Sequence, residues 1–258
     1  FAMKKRMEIN CDMGESFGIY KIGNDEQVMP FMPAINVACG FHAGDAVVMK
    51  KTVEMAKRCG VAVGAHPGFP DLMGFGRREM NLTPEQCYAY TIYQVGALKT
   101  MCEVFDMPLH HVKPHGKLYV MMSHDTVLSQ AFVDAVYDID PKLPIYHSGS
   151  LVDAEVGQVV KAKGMTYVRE FNFDTDYSAD GAVITPRYHE GQKIPGPEDL
   201  AKRALAFLQS GKLTIGSGET LEFGCDSICI HGDAPTAVEN VKALRKVLEE
   251  AGYEVAPF

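Results

Sequence analysis

The chain has 258 residues, of which 47% are hydrophobic and 22% are charged. These are ordinary values for a globular protein with a sizeable core, so they exclude intrinsic disorder and a coiled coil for the whole chain. The net charge of −8, from 25 basic and 33 acidic residues, disfavours a nucleic-acid surface. No apolar segment reaches the ~20 residues of a membrane span, and no apolar run follows the basic N-terminus as in a signal peptide. We therefore expect a soluble, cytoplasmic protein with no membrane or nucleic-acid partner.

The seven cysteines do not form the pattern of a disulfide framework, because their number is odd and no Cys-x-x-Cys pair occurs. We interpret them as buried free thiols in a reducing compartment. The alternative is a thiol nucleophile, for which Cys39, close before His42, is the candidate. Phe1 and Ala2 precede Met3 and are interpreted as residues added ahead of the natural start.

Strands and helices are predicted to alternate along the chain. Seven mostly apolar runs are predicted as strands, at residues 7–11, 34–39, 61–65, 110–114, 143–147, 166–171 and 227–231. Six stretches are predicted as helices, at residues 43–59, 84–104, 125–137, 151–163, 197–210 and 235–251. Gly60 is a natural end for the first helix, and Thr83 with Gln86 forms a capping-box signature before the second. Residues 213–223 are predicted to form a β-hairpin.

This alternation predicts an α/β protein with a parallel sheet, and the nearly continuous apolar strands agree with a sheet that helices cover. No linker or low-complexity segment divides the chain, so we predict one domain over residues 1–258. The sheet could be open or closed into a (β/α) barrel. We favour a seven-stranded barrel because ionisable residues recur at the C-terminal ends of the strands, where barrel enzymes build their active sites.

Ten polar residues lie at or shortly after the predicted strands: Asp12, Asn36, His42, His66, Lys113, His115, Glu170, Asp174, His231 and Asp233. Imidazole and carboxylate groups are ligands for Zn²⁺ or Mn²⁺, and they also serve as general acids and bases near neutral pH. The sequence alone does not separate these two uses, so a divalent metal and the identity of the general base stay open. Four other histidines are interpreted as structural or surface residues: His110, His124, His147 and His189.

The segment at residues 68–78 is long for a strand-to-helix connection and carries two aromatic residues, three glycines and two adjacent arginines. Long loops of this kind are often lids or binding loops. Arg77 or Arg78 would suit a carboxylate or phosphate, which a guanidinium binds through two parallel hydrogen bonds. Residues 216–220 faintly resemble a phosphate-binding loop, but no Lys follows the glycines, so nucleotide binding there is disfavoured.

The sequence resembles the LamB/YcsF family over nearly its whole length. The matching segments, in the family's order, are NCDMGESFG at 10–18, NVACGFHAGD at 36–45, GAHPGFPDLMGFGRR at 64–78, VKPHGKLY at 112–119 and ICIHGDAP at 228–235. The resemblance implies a seven-stranded (β/α) barrel of the glycoside hydrolase/deacetylase type. It also implies hydrolysis of the lactam of 5-oxoproline to L-glutamate, with ATP as co-substrate, together with two partner subunits, B and C. Whether ATP contacts this chain, and whether the chain forms homo-oligomers, stays open.

Carried onto this chain, the resemblance implies a site at the strand ends. Catalytic roles are expected for Asp12, His115 and Asp233. Substrate-binding roles are expected for Asn36, His42, Arg77, Lys113, Glu170 and Asp174. A divalent metal, if one is bound, is expected to be held by Asp12, His42, His66 and His231. In this scheme Asp12 is the general base, and the histidines bind the metal or stabilise developing negative charge.

One segment departs from the family's pattern. Glu170 is followed by FNFDTDY, in which Thr175 stands where the family usually has Arg, while Asp174 and Tyr177 keep their places. If that Arg anchors an anionic group, the substitution bears on the substrate, although Arg187 offers a replacement. Two alternative functions are kept. One is a stand-alone metal-dependent deacetylase or amidohydrolase acting on carbohydrates or amides, and the other is a non-catalytic subunit that binds ligand or scaffolds a complex.

Overall fold

The computed structural model describes residues 5–184 and 195–258, so the predictions for residues 1–2, Arg187 and His189 lie outside the described residues. Within these ranges the strands are β1 Lys5–Met13, β2 Ala34–Ala38, β3 Ala62–His66, β4 Leu109–Val112, β5 Ile145–Ser148, β6 Tyr167–Asn172, β7 Lys212–Thr214, β8 Thr220–Glu222, β9 Ser227–His231 and β10 Tyr253–Val255. The α-helices there are α1 Asp25–Val28, α2 Ala46–Cys59, α3 Pro84–Val104, α4 Gly116–Met122, α5 Thr126–Ile139, α6 Glu155–Ala162, α7 Pro197–Ser210 and α8 Ala237–Glu250.

Strands β1 to β6 and β9 form a closed parallel barrel. Neighbours pair in chain order from β1 to β6, β9 pairs with β6, and the barrel closes between β9 and β1. The closing register joins Glu8 to Ser227 at one end and Asp12 to His231 at the other. The predicted seven-stranded (β/α) barrel is therefore confirmed, and its closure brings Asp12 and His231 side by side although they lie far apart in the sequence.

The helices surround the barrel, and several begin or end at the predicted residues. α7 has the predicted bounds, and α3 begins at the predicted capping box, in which Thr83 and Gln86 exchange side-chain-to-backbone hydrogen bonds. β7 and β8 form the predicted antiparallel hairpin. Three of the elements given above are not among the predictions: the short helix α1, the helix α4, which begins directly after His115, and the strand β10, which pairs with the first residues of β1. No helix within the described residues is long and apolar enough for a membrane crossing.

The inside of the barrel is polar, which the apolar character of the strands did not predict. On β1 the alternate residues Glu8, Asn10 and Asp12 are buried and hydrogen-bonded to side chains of other barrel strands. Ile9 and Cys11, between them, belong to the hydrophobic core. Successive side chains of a strand point to opposite sides, so one face of β1 packs under the helices while the other joins an internal polar network. That network continues to the C-terminal ends of the strands.

Candidate active site

Asp12 is the centre of the buried network at the C-terminal end of the barrel. Its Oδ1 accepts hydrogen bonds from Asn36 Nδ2 at 2.8 Å and from Lys113 Nζ at 3.1 Å. Its Oδ2 lies 3.4 Å from His66 Nε2 and 3.7 Å from His231 Nε2. Burial alone would raise the pKa of this carboxyl, but His66 and Lys113 hold the pKa well below its usual range. Asp12 is therefore a stable negative charge and a weak base.

Lys113, which follows β4, supplies the positive charge of this network. Its ammonium donates to Cys229 Sγ at 2.8 Å and lies 3.3 Å from Glu170 Oε2, in addition to its contact with Asp12. Burial alone would lower the pKa of Lys113, but Asp12, Cys229 and Glu170 together raise the pKa well above its usual value. Lys113 is therefore a permanent cation that balances two buried carboxyl groups.

His231, the last residue of β9, is oriented by Asp174 on the loop after β6. Its Nδ1 donates to Asp174 Oδ1 at 2.6 Å. In the neutral ring, a carboxylate bonded to Nδ1 keeps the proton on that nitrogen and leaves the lone pair on Nε2. The His231 side chain is 16% exposed, more than any of the other three strand-end histidines. This is the arrangement of a general acid or base that a carboxylate holds in place.

His66 and His115 face each other across a short distance. His66 Nδ1 donates to the Lys113 carbonyl oxygen at 2.8 Å, and His115 Nε2 donates to the Phe75 carbonyl oxygen at 2.8 Å, because a carbonyl oxygen only accepts. The two remaining nitrogens, His66 Nε2 and His115 Nδ1, lie 2.9 Å apart. In neutral rings both would carry lone pairs, so this contact requires an extra proton or another cation between them. Burial, with help from His42 and His66, lowers the pKa of His115 well below its usual value.

Two further residues lie next to this pair, and we call the four together the histidine cluster: Glu15, His42, His66 and His115. The His42 ring stacks on His115 with the ring centroids 3.5 Å apart, and His42 Nε2 lies 3.4 Å from Glu15 Oε1. Neither nitrogen of His42 has a hydrogen bond among the described residues, and Glu15 Oε1 lacks one there as well. Burial raises the pKa of Glu15 well above its usual value and lowers the pKa of His42 well below. Both side chains thus present unused polar atoms inside the protein.

The loop at residues 68–78 packs against the histidine cluster. Its Phe75 carbonyl accepts the hydrogen bond from His115, and the Phe75 ring contacts His42 edge-on at a centroid distance of 5.6 Å. Gly76 has a φ of 63°, and a Cβ there would stand only 2.7 Å from His42 Cβ and 2.8 Å from His115 Cδ2. Only glycine fits this position, so the loop is shaped to the two stacked rings.

A cavity of about 450 Å³, including its opening to solvent, lies at this end of the barrel. Six of the predicted site residues line it: Asp12, His66, Arg77, Lys113, His115 and His231. Three others stand behind the lining residues, with Asn36 bonded to Asp12, Glu170 to Lys113 and Asp174 to His231. His42 lines a neighbouring groove together with Glu15.

The two arginines of the loop have different partners. Arg78 forms an ion pair with Asp71 of the same loop, and its side chain is largely exposed. Arg77 lines the cavity, and its Nη2 lies 3.5 Å from Asp233 Oδ2. Arg77 is therefore the arginine of this pair that is placed to meet a bound molecule.

The four residues predicted as metal ligands are divided between two groups, each with its ligand atoms within 4.8 Å of one another. The first group is the histidine cluster, which includes two of them, His42 and His66. The second group consists of Asp12, Cys229 and His231. The structure thus separates His42 from His231 and adds Glu15 and His115 to the set that could hold an ion.

Among the buried residues of the site that the sequence predictions do not include are Glu15, His111 and Cys229. His111 Nε2 bonds to Asn36 Oδ1 at 2.6 Å, and this contact completes the support of Asp12. His111 lies two residues before Lys113, and Cys229 lies two residues before His231. Residues two apart on a strand point to the same side, so this spacing in the sequence could have indicated both. Glu15 lies beyond β1 in a loop, where no such period applies.

The thiol-nucleophile alternative at Cys39 does not fit this environment. Its Sγ donates to the Val37 carbonyl at 3.2 Å, and burial raises its pKa to about 12, so the thiol stays protonated. All seven cysteines are free, although Cys59 is exposed and Cys225 is half-buried, unlike the other five. Of the histidines predicted to be structural or on the surface, His147 is buried against the Tyr119 carbonyl, His124 is exposed and His110 is half-buried.

A closed barrel of seven parallel strands, with buried histidines and carboxylates at one end, defines a (β/α)-barrel protein with an enzyme-type site. The model of the LamB/YcsF family matches residues 7–258, and the chain belongs to that family.

Two relatives and one solved structure are similar over nearly the whole chain. The A subunit of 5-oxoprolinase from Pyrococcus horikoshii is 44% identical over 253 residues, which is 98% of each chain. The corresponding 5-oxoprolinase chain from Pyrococcus abyssi is 42% identical over the same shares. The crystal structure of the lactam utilization protein from Thermus thermophilus is 40% identical, with a TM-score of 0.89 over 98% of this chain and 100% of that one.

Proposed function

We propose that this chain is the A subunit of an ATP-dependent 5-oxoprolinase, which hydrolyses 5-oxoproline to L-glutamate together with partner subunits B and C. Relatives with this name align with 98% of the chain at more than 40% identity. The observation that carries the proposal is that Arg77, Lys113 and His231 line one cavity. Arg77 and Lys113, whose positive charges suit an anionic substrate, therefore lie in the same cavity as the His231 imidazole, which Asp174 orients.

The chemistry of the substrate explains why the reaction needs ATP. 5-Oxoproline is a cyclic amide with a carboxylate, and amide resonance makes its carbonyl carbon a poor target for water. Transfer of a phosphoryl group from ATP to the amide oxygen makes this carbon more electrophilic and releases ADP. Water then adds to the carbon, the C–N bond breaks to give the amine, and hydrolysis releases phosphate, so the products are glutamate, ADP and phosphate.

His231 is the group placed to move the proton. Its Nε2 lone pair accepts a proton from the attacking water, and Asp174 stabilises the imidazolium that forms. The same nitrogen then returns a proton to the departing amine. This assignment moves the general base from Asp12 to His231, because the pKa of Asp12 is held well below its usual range.

Arg77 and Lys113 are placed to bind negative charge. The Arg77 guanidinium lines the cavity with its side chain 32% exposed, so it can meet the substrate carboxylate through two parallel hydrogen bonds. Lys113 is buried and lines the cavity, so its ammonium is a fixed positive charge close to the negative charge that develops on a bound substrate. Asp12 holds Lys113 in this position through the hydrogen bond at 3.1 Å.

Thr175 stands in the cavity at the position where the family usually has Arg. It is buried and lines the cavity, and its hydroxyl has no hydrogen bond within the described part of the chain. An unused hydroxyl beside the bound substrate suits a polar atom of the lactam. We therefore assign Thr175 a neutral hydrogen bond to the substrate and the anionic group to Arg77.

The test is glutamate formation by the purified chain mixed with subunits B and C, ATP and 5-oxoproline. We expect glutamate and ADP to appear only when this chain, both partners and ATP are all present. Release of product by this chain alone, without ATP, would support the stand-alone deacetylase or amidohydrolase instead. Full activity of the complex with the His231→Ala chain would support the scaffolding role, and either result would overturn the proposal.

A further inference from the structure

We propose that the histidine cluster binds one divalent transition-metal ion of the zinc class, with Glu15, His42, His66 and His115 as its ligands. Each residue offers a ligand atom within 4.8 Å of the others, and all four are buried. This inference rests on the geometry of the cluster and goes beyond the proposed lactam hydrolysis. The metal site and the 5-oxoprolinase activity can therefore be tested and refuted separately.

The tautomers of His66 and His115 provide the first argument. Backbone carbonyls accept from His66 Nδ1 and His115 Nε2, so the lone pairs of neutral rings lie on the other two nitrogens. Those nitrogens point at each other across 2.9 Å. A metal ion bound to both nitrogens would supply the cation that this contact requires and would replace a shared proton by two coordination bonds. The carbonyls are then the outer hydrogen bonds that metal-binding histidines usually make.

The unused atoms of Glu15 and His42 provide the second argument. Buried polar atoms are almost always hydrogen-bonded, because an unpaired one costs free energy. Glu15 Oε1 and both His42 nitrogens have no hydrogen bond in residues 5–184 and 195–258. These atoms adjoin the paired nitrogens, since Glu15 Oε1 lies 3.4 Å from His42 Nε2 and 4.0 Å from His115 Nδ1. One cation would satisfy all of them.

The spacing of the ligand atoms suits a small ion after a limited movement. Tetrahedral ligands at ~2.1 Å from zinc lie ~3.4 Å apart, and the distances quoted above, from 2.9 to 4.0 Å, bracket that value. His42 and His115 are stacked nearly parallel with their ring centroids 3.5 Å apart, so one ring must turn for both to share an ion. His42 is the ring that can turn, because no hydrogen bond among the described residues holds it.

The donor set indicates the type of ion and its position. Three imidazole nitrogens and one carboxylate suit Zn²⁺ and similar ions, whereas Mg²⁺ and Ca²⁺ prefer oxygen ligands. The second group of candidate ligands is less suited, because the Lys113 ammonium donates to Cys229 Sγ at 2.8 Å and to Asp12 Oδ1 at 3.1 Å. A cation already occupies that position, so the ion belongs in the histidine cluster.

The experiment uses the full chain without a histidine tag, stripped with a chelator and titrated separately with Zn²⁺ and Co²⁺. We expect about one Zn²⁺ per chain by elemental analysis. We expect Co²⁺ to give visible ligand-field bands without a sulfur-to-cobalt charge-transfer band, because the cluster has no thiolate. Glu15→Gln and His42→Gln should each lower the Zn²⁺ affinity by at least ~100-fold, whereas the exposed His124→Gln should leave it unchanged.

Three results would overturn the inference. The first is a wild-type chain that holds no Zn²⁺ and gives no cobalt bands, which would leave a shared proton between His66 and His115. The second is a charge-transfer band that Cys229→Ala removes, which would place the ion in the other group. The third is unchanged Zn²⁺ affinity in both cluster variants. If a variant fails to fold by circular dichroism, the wild-type cobalt spectrum still decides between these outcomes.

Discussion

His231 Nδ1 donates to Asp174 Oδ1 at 2.6 Å, across 57 residues of sequence. The contact joins the end of one barrel strand to the loop after its neighbour, and it fixes which nitrogen of His231 faces the cavity. The proposed proton transfer depends on this tautomer, because only a lone pair at Nε2 can accept a proton from water. Asp174 is thus a positioning residue for His231.

Replacement of Asp174 by Asn should lower kcat by about 10²–10⁴-fold with little change in KM. The Asn amide can donate to His231 Nδ1, which places the ring proton on Nε2 and removes the base. Glutamate formation by the three-subunit mixture measures this effect. Asp180→Asn is the matched control, because Asp180 lies 3.6 Å from the exposed His124. If Asp174→Asn kept the activity of this control, Asp174 would have no positioning role.

Replacement of Lys113 by Met should lower the free energy of unfolding by about 3–5 kcal/mol, because it leaves Asp12 and Glu170 buried without their counter-ion. Urea unfolding at neutral pH measures the change. Lys117→Met is the control, since Lys117 pairs with Glu79 near the surface and should contribute no more than about 1 kcal/mol. Equal losses in the two variants would contradict the described role of Lys113 as a buried counter-ion.

Glu8 predicts a pH dependence of stability. Burial is the main cause that raises its pKa from 4.5 to about 7, so between these values the folded chain holds a proton that the unfolded chain has lost. The contribution of Glu8 to the free energy of unfolding is therefore fully present below pH 4.5. It is lost as the pH rises to about 7, and the total loss is about 3 kcal/mol.

Urea unfolding at several pH values, with wild type and Glu8→Gln compared, measures this contribution of Glu8. The free energy of unfolding of wild type should fall from pH 5 to pH 8 because Glu8 loses its proton, whereas Glu8→Gln should not show this loss. The free energy of unfolding of the variant should therefore rise relative to that of wild type over this range. Glu222→Gln on the exposed hairpin is the control and should show no such trend. A constant difference between wild type and Glu8→Gln would show that Glu8 titrates normally.

Replacement of Thr175 by Val keeps the shape of the side chain and removes its hydroxyl. If this hydroxyl bonds to the substrate, KM for 5-oxoproline should rise about 3- to 10-fold while kcat is preserved. Steady-state kinetics of the complex measure both values. Thr214→Val, on the exposed strand β7, should change neither. An unchanged KM in Thr175→Val would remove Thr175 from the substrate contacts.

The elements that depend on local signals were predictable from the sequence. α7 has the predicted bounds because Pro197 suits the start of a helix and Gly211 ends it at a φ of 70°. α4 was missed because a helix of seven residues directly after a strand-end loop has too few turns to show a period. The polar interior does not follow from the overall hydrophobicity of the strands, because it depends on the alternation of Glu8, Asn10 and Asp12 with apolar residues along β1.

The candidate site was predictable as a list of strand-end residues but not as a set of contacts. Asp12 and His231 meet because of the β1–β9 register, which depends on barrel closure. Glu15 joins the histidine cluster through a loop conformation that no period encodes. The tautomers of His66 and His115 follow from carbonyl groups of other segments, so no local pattern could have indicated them.

The most direct measurement is the rate of glutamate formation from 5-oxoproline by this chain in complex with subunits B and C, as wild type, His231→Ala or His124→Ala. We predict ATP-dependent glutamate formation by wild type and His124→Ala, and a loss of at least about 100-fold with His231→Ala. Equal rates with all three chains, or no glutamate from the wild-type complex, would contradict a 5-oxoprolinase active site at the end of this barrel.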